Sequence, residues 1–118
     1  MHNKLILTNQ TGFKILNLEE VISIESKPGN YALFYIINNI QVLCTKPLKY
    51  YEVLCNKGAF YRAHRSYIIN IHHVKDYDSL SGNISLSNGK CLKVAHRRRA
   101  GFLASIRHQF EDQDFIYA

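Results

Sequence analysis

No apolar run in the 118-residue sequence approaches the roughly 20 residues that a bilayer-spanning helix needs, which excludes a helical membrane span. The opening Met1-His2-Asn3-Lys4 leads into a short apolar patch that Thr8-Asn9-Gln10 interrupts. That is too short and too polar for a secretory signal. Cysteine is scarce. Cys44, Cys55 and Cys91 are odd in number and lack CxxC spacing, so neither a disulfide framework nor a zinc knuckle is expected. Reduced, mostly packed thiols in a cytoplasmic protein are expected instead. Only Pro28 and Pro47 interrupt the backbone, and no repeat, low-complexity run or linker divides it. Acid is short too, with 9 Asp and Glu against 15 Lys and Arg. What is present is apolar: 47% of residues are hydrophobic and 12% aromatic, enough for one domain with a real core and too much for a disordered chain.

The net charge of +6 is unevenly placed. Residues 1–56 are nearly balanced, whereas residues 57–110 hold ten basic groups against Asp76 and Asp78 alone. The tail 111–118 is acidic through Glu111, Asp112 and Asp114, and no acid occurs between Ser79 and Phe110. Five of the six histidines share the basic segment. Such clustering focuses positive potential, for which a polyanion is the natural partner. Composition alone leaves DNA, RNA and an anionic membrane open as that partner.

The pattern is mostly short strands between turn signals. Strands are expected at Lys4–Thr8, Phe13–Leu16, Val21–Glu25, Tyr31–Ile37, Ile40–Thr45, Phe60–Ala63, Tyr67–Asn70, Val74–Tyr77, Asn83–Leu86 and Lys90–Val94. In Val21–Glu25, alternation puts Ile22 and Ile24 on one face and Ser23 and Glu25 on the other. Asn38-Asn39 and Asn88-Gly89 read as hairpin turns, because Asn and Gly accept left-handed angles. Asn17 is placed to cap a short helical turn over Leu18-Glu19-Glu20. Pro47 is placed to start a helix with Leu48, Tyr51, Val53, Leu54 and Cys55 on its apolar side, stopped by Lys57-Gly58. A second helix is expected over Arg97–Phe110, with Phe102, Leu103, Ile106 and Phe110 inward. The result is a compact, mainly antiparallel β protein with a few short helices.

Three segments carry candidate chemistry. In Phe60-Tyr61-Arg62-Ala63-His64-Arg65-Ser66-Tyr67-Ile68-Ile69-Asn70, apolar groups flank a polar centre. Arg65 offers a planar fork of donors suited to phosphate or to a guanine edge. His64 and Ser66 can donate to phosphate oxygens, while Asn70 reads better as a buried pin between strands. In the second segment, Lys93, Arg97, Arg98 and Arg99 surround a strand end and a helix start. Three arginines there oppose the helix dipole, a local conflict of the kind that function tolerates, although at least one should only pack its stem or solvate the helix. The third is the loop Lys27-Pro28-Gly29-Asn30-Tyr31, whose Asn30 can pair with adenine. Taken alone it is an ordinary turn.

Catalysis has little to build on. His72-His73 are adjacent and would point to opposite faces of a strand. No HxxxH, CxxC, GxSxG or phosphate-loop spacing occurs, and Glu19, Glu20, Glu25 and Glu52 form no paired-carboxylate motif. A nuclease using His64 and Asn70 is a minor alternative. The other is a non-specific RNA- or phosphate-binding β module whose tyrosines among 31, 35, 61 and 67 would stack bases.

The run from Phe60 to Asn70, followed by Val74 and by Asn88-Gly89-Lys90 before a basic helix, resembles the LytTR DNA-binding domain. The similarity extends to Val21-Ile22-Ser23-Ile24-Glu25-Ser26 before Gly29-Asn30-Tyr31, and covers roughly residues 4–108. The resemblance implies an elongated β-β-β arrangement of about ten short antiparallel strands with a few short helices, with residues 1–110 as the DNA-binding domain and 111–118 as an appended acidic tail. It further implies the effector part of a two-component response regulator, or a stand-alone regulator, that binds direct repeats in promoter DNA through loops in the major groove. By position, base contacts would fall on Asn30, Arg65 and Arg97, and phosphate contacts on His64, Ser66, Lys93, Arg98, Arg99 and Lys27. Ala95-His96 departs from the family pattern, where a small hydroxyl residue is frequent, so the phosphate contact at that point is not carried over. The implied partners are double-stranded DNA and a receiver domain or a second copy on repeated sites. No membrane, small-molecule substrate, cofactor, metal or enzymatic activity is implied.

Overall fold

The computed structural model describes residues 4–110, with Lys57 described by its backbone only. The acidic tail 111–118 lies outside these residues. Among the described residues, ten strands form three antiparallel sheets in an envelope of 48 × 31 × 25 Å. β1 (Lys4–Asn9) and β2 (Gly12–Asn17) make a ribbon. The central sheet has the order β5-β4-β3-β7-β6, from β3 (Val21–Lys27), β4 (Tyr31–Ile36), β5 (Ile40–Cys44), β6 (Phe60–His64) and β7 (Tyr67–Asn70). The third sheet has the order β10-β9-β8, from β8 (Val74–Tyr77), β9 (Asn83–Leu86) and β10 (Cys91–Lys93). The expected strands and antiparallel arrangement are therefore all present. No helix among the described residues is long and apolar enough to cross a membrane.

The turns form where the sequence supplies residues that accept left-handed angles. Asn38 (φ 65°) and Asn39 (φ 60°) link β4 to β5, and Asn30 (φ 63°) follows Gly29 between β3 and β4. Beside Leu18–Glu20, the amide of Asn17 donates to the Glu20 carboxylate at 2.9 Å, which closes the short turn before β3.

β3 lies in the middle of the sheet with both faces covered, so it serves two cores. Val21 and Ile24 join Phe34, Ile68, Leu7 and Leu16 on one side, while Ile22 joins Ile69, Ile71, Ile84, Leu86, Val94 and Phe102 on the other. The expectation that Ile22 and Ile24 share a face fails here. The pairing with β4 shifts register between Val21 and Ser23, and this bulge resets the alternation. Ser23 is buried as well. Burying a side chain such as Phe34, fully enclosed, stabilises by about 1.5–3 kcal/mol.

Two helical expectations also need correction. The helix expected after Pro47 is present as a 3-10 helix, Leu48–Lys57, and what changes is its apolar side. Leu48, Tyr51 and Leu54 are its buried residues, spaced by three as a three-residue turn requires, and Val53 is 57% exposed. The C-terminal helix begins as a 3-10 turn, His96–Arg98, and continues as α1 (Arg99–Phe110). Phe102 is buried against the second core with Ile106 and Phe110 packed beside it, but Leu103 is turned outward and 38% exposed.

Candidate nucleic-acid interface

β3 ends at Lys27 and β7 begins at Tyr67, and the two strands are antiparallel with Glu25 opposite Tyr67. The turn Pro28–Asn30 and the turn Arg65-Ser66 therefore leave the central sheet at the same end. The amide of Ser26 ties them by donating to the Ser66 carbonyl at 2.8 Å. The segment after β10 is brought to that end by two further links. The Tyr67 hydroxyl donates to the Lys93 carbonyl and accepts from the Lys93 amide (3.0 Å), and the Ala95 amide donates to the Ala63 carbonyl at 2.9 Å. Three turns far apart in the chain thus share one end of the molecule.

The candidate residues differ in how free they are. Asn30, Arg65, Lys93 and Arg97 are exposed, and no ion pair among the described residues involves Arg65 or Arg97. His64 is half-buried and stacks on Tyr67 with ring centroids 4.7 Å apart. Its Nδ1 accepts from the Ser66 amide at 3.1 Å, which leaves Nε2 as the ring's donor. Ser66 is half-buried. Lys27 leans back to Glu25, 3.8 Å away, so part of its charge is compensated.

Arg98 and Arg99 are half-buried and already engaged. Arg98 donates from Nη1 to the Arg62 carbonyl at 3.1 Å, and its own carbonyl accepts from the Tyr61 hydroxyl at 2.7 Å. Arg99 donates from Nη2 to the Ser81 carbonyl at 2.9 Å, over Gly82. The conflict of three arginines at a helix start is thus resolved by folding two of them onto neighbouring loops, and Arg97 alone of the three is exposed. Sequence reasoning missed Arg62, whose guanidinium donates to the Arg65 carbonyl and pairs with Glu52, holding the Arg65 turn from behind. It also missed Tyr67 and Glu25 as links to the third sheet. The Tyr67 and Glu25 links join distant parts of the chain, and the Arg62 contacts, though nearer in sequence, follow from how the β6–β7 turn folds back rather than from a local pattern.

Other groups take structural parts. Asn70 is the expected pin: it is 1% exposed, its Nδ2 donates to the Val21 carbonyl at 2.9 Å, and its Oδ1 accepts from the His72 amide at 3.0 Å. It lies opposite Phe60, at the other end of β6 from His64, so the two are not assembled into one site. His73 bridges Ser87 and the Glu19 carbonyl, each at 2.7 Å. Of the tyrosines, Tyr61 and Tyr67 spend their hydroxyls on backbone carbonyls, and Tyr35 lies under the Lys90 ammonium at 3.9 Å. Burial works against the charge on Lys90, but hydrogen bonds to Glu25 and Tyr35 outweigh it and hold the ammonium above its usual pKa. Burial pushes the Cys44 and Cys55 thiols up, and Cys91 is the exposed cysteine.

Among the described residues, ten short strands make three antiparallel sheets, with Asn30, Arg65 and Arg97 exposed on turns at one end, which defines a β-type architecture. A sequence model of the LytTr DNA-binding domain matches residues 11–107, and the chain belongs to that family. Its relatives include the transcriptional regulatory protein LytR of Staphylococcus aureus strain MW2, 38% identical over 65 residues that make up 52% of this chain and 26% of that protein. The same protein from strain N315 matches with the same identity and coverage. The chain therefore spans about a quarter of the length of these relatives. Among solved structures, the fold is similar to the LytTr DNA-binding domain of a methyl-accepting/DNA response regulator from Bacillus cereus. The TM-score is 0.73 at 24% identity, covering 90% of this chain and 98% of that one.

Proposed function

We propose that residues 1–110 are the sequence-reading DNA-binding unit of a cytoplasmic transcription regulator of the two-component type, with 111–118 as an appended acidic tail. The observation that carries this reading is the meeting of three turns at one end, with Asn30, Arg65 and Arg97 exposed there. In this reading Arg65 and Arg97 reach guanine edges in the major groove and Asn30 reaches adenine. His64 Nε2, the Ser66 hydroxyl and Lys93 hold phosphates on either side of the Arg65 turn. Lys27, Arg98 and Arg99 add positive potential at the rim, their donors being partly spent within the protein. Duplex DNA is preferred over single-stranded RNA as partner because a base-stacking platform needs several free aromatic faces: the rings of Tyr35, Tyr61 and Tyr67 pack on Lys90, Phe102 and His64, and of the four tyrosines Tyr31 alone is exposed. Two copies on direct repeats, and a receiver domain that controls their pairing, complete the proposal. No catalytic step is assigned.

Selection of bound sites from random duplex DNA tests this reading. A repeated preferred sequence is expected, with affinity that falls steeply as salt rises. Recovery of unbiased sequence, or tighter binding to single-stranded RNA than to the selected duplex, would reject it.

A further inference from the structure

The three turns do not ride on one rigid element. Asn30 and Arg65 lie in turns of the five-stranded sheet, whereas Lys93 ends and Arg97 follows the edge strand of the three-stranded sheet, and among the described residues no strand pairing joins the two sheets. DNA presents its groups at fixed intervals of about 3.4 Å along each strand, so a reader split over two sheets needs their offset held. Two neighbours on the central sheet are placed to hold it. Glu25 and Tyr67 face each other across β3 and β7. Glu25 takes the Lys90 ammonium at 2.8 Å, just before β10, and Tyr67 binds both backbone groups of Lys93, at the end of β10. One cross-strand pair thus grips both ends of the short edge strand. The Tyr67 ring also stacks on His64, next to Arg65, so the same residue touches both reading segments.

We propose that Glu25 and Tyr67 form a clasp that sets the spacing between the Arg65 turn and the Arg97 segment, and are positioning residues for selective DNA binding. The proposal rests on the DNA-reading role given above. Glu25 makes it testable against plain electrostatics. An acid at the end that meets a polyanion repels it, so removing the charge should tighten binding to every duplex if charge is all that matters. The clasp instead makes Glu25 necessary for discrimination. Its side chain is only 13% exposed and faces Lys27 and Lys90 rather than solvent, which fits a holding role.

The experiment uses the full chain as wild type, Tyr67→Phe and Glu25→Gln. Dissociation constants are measured at one salt concentration on a duplex selected from the random pool and on a shuffled duplex, with hydrogen exchange at the Lys93 amide. Tyr67→Phe removes one hydroxyl and keeps the ring. It should weaken binding to the selected duplex about threefold to tenfold, leave the shuffled duplex nearly unchanged, and speed exchange at Lys93. Glu25→Gln should bind the shuffled duplex slightly tighter and still lose preference for the selected one. Unchanged preference in both variants, or equal losses on both duplexes, overturns the clasp while leaving the DNA-reading role intact. Absence of any preference in the wild type overturns that role, and the clasp with it.

Discussion

The two ends of the central sheet use the same kinds of residue in opposite ways. At the end where β6 and β7 meet the rest of the fold, Asn70, His72 and His73 are all tied to protein partners: the Val21 carbonyl, Gln109, and the Ser87 hydroxyl with the Glu19 carbonyl. At the other end, Asn30, Arg65 and Arg97 stand exposed, held by backbone ties that leave their side chains outside. Amides, imidazoles and cations therefore do not mark a site by being present. They mark it where the fold spends backbone groups and second residues, such as Arg62 and Tyr67, to keep them free.

The sharpest way to break this comparison is to exchange the consequences of mutation between the ends. Asn70→Ala leaves the buried Val21 carbonyl without its donor and opens a small void. It should cost about 2–4 kcal/mol of stability and lower Tm by roughly 10 °C. DNA selectivity of the folded fraction should not change. Arg65→Ala should do the reverse: Tm stays near wild type, and binding to the preferred duplex falls by about 1–3 kcal/mol with relaxed preference. A loss of stability for Arg65→Ala comparable to that of Asn70→Ala would erase the distinction between the ends.

Much of this arrangement was legible in the sequence, for identifiable reasons. The hairpins are visible because Asn38-Asn39 and Asn88-Gly89 supply left-handed angles that few other residues accept. Asn70 was readable as a pin because a polar residue inside an apolar run needs partners. The face assignment of Ile22 failed because a bulge is set by the partner strand, not by the residues that bulge. The helix at Leu48–Lys57 is legible from Pro47 and Lys57-Gly58, but its apolar side is narrower than expected: Leu48, Tyr51 and Leu54 repeat every three and are buried, and Val53 is exposed. Charge singles out the Arg65 and Arg97 turns and the family resemblance adds Asn30, but the engagement of Arg98 and Arg99 and the links through Tyr67 and Glu25 depend on contacts between residues far apart in the chain.

The three consecutive arginines sharpen the comparison within a single turn. Arg97→Ala removes an exposed cation that forms no ion pair among the described residues, so it should weaken DNA binding and leave Tm unchanged. Arg98→Ala removes a half-buried side chain that donates to the Arg62 carbonyl. It should lower stability by about 1–2 kcal/mol in addition to its effect on DNA. Thermal melts and titrations of both variants against one duplex separate the two. Equal Tm values would mean that the Arg98 contact contributes nothing.

The smallest expected effect lies on β6 one residue from the Asn70 end, where Tyr61 braces the start of α1. Gly101 occupies α1 at a point where an added Cβ would lie 2.4 Å from the Tyr61 hydroxyl and 3.2 Å from its ring carbon Cζ. Ordinarily Gly→Ala inside a helix stabilises by about 0.5–1 kcal/mol. Here the phenol has to move, giving up its bond to the Arg98 carbonyl and disturbing its contact with the buried Phe102 ring. Gly101→Ala should therefore destabilise, by about 1 kcal/mol net. Tyr61→Phe removes the atom in closest conflict, so the cost of Gly101→Ala should shrink or change sign in that background. A double-mutant cycle measured by denaturant unfolding reads this coupling directly. Additive effects would show that helix propensity alone governs position 101, and that the Tyr61 hydroxyl does not brace the start of α1.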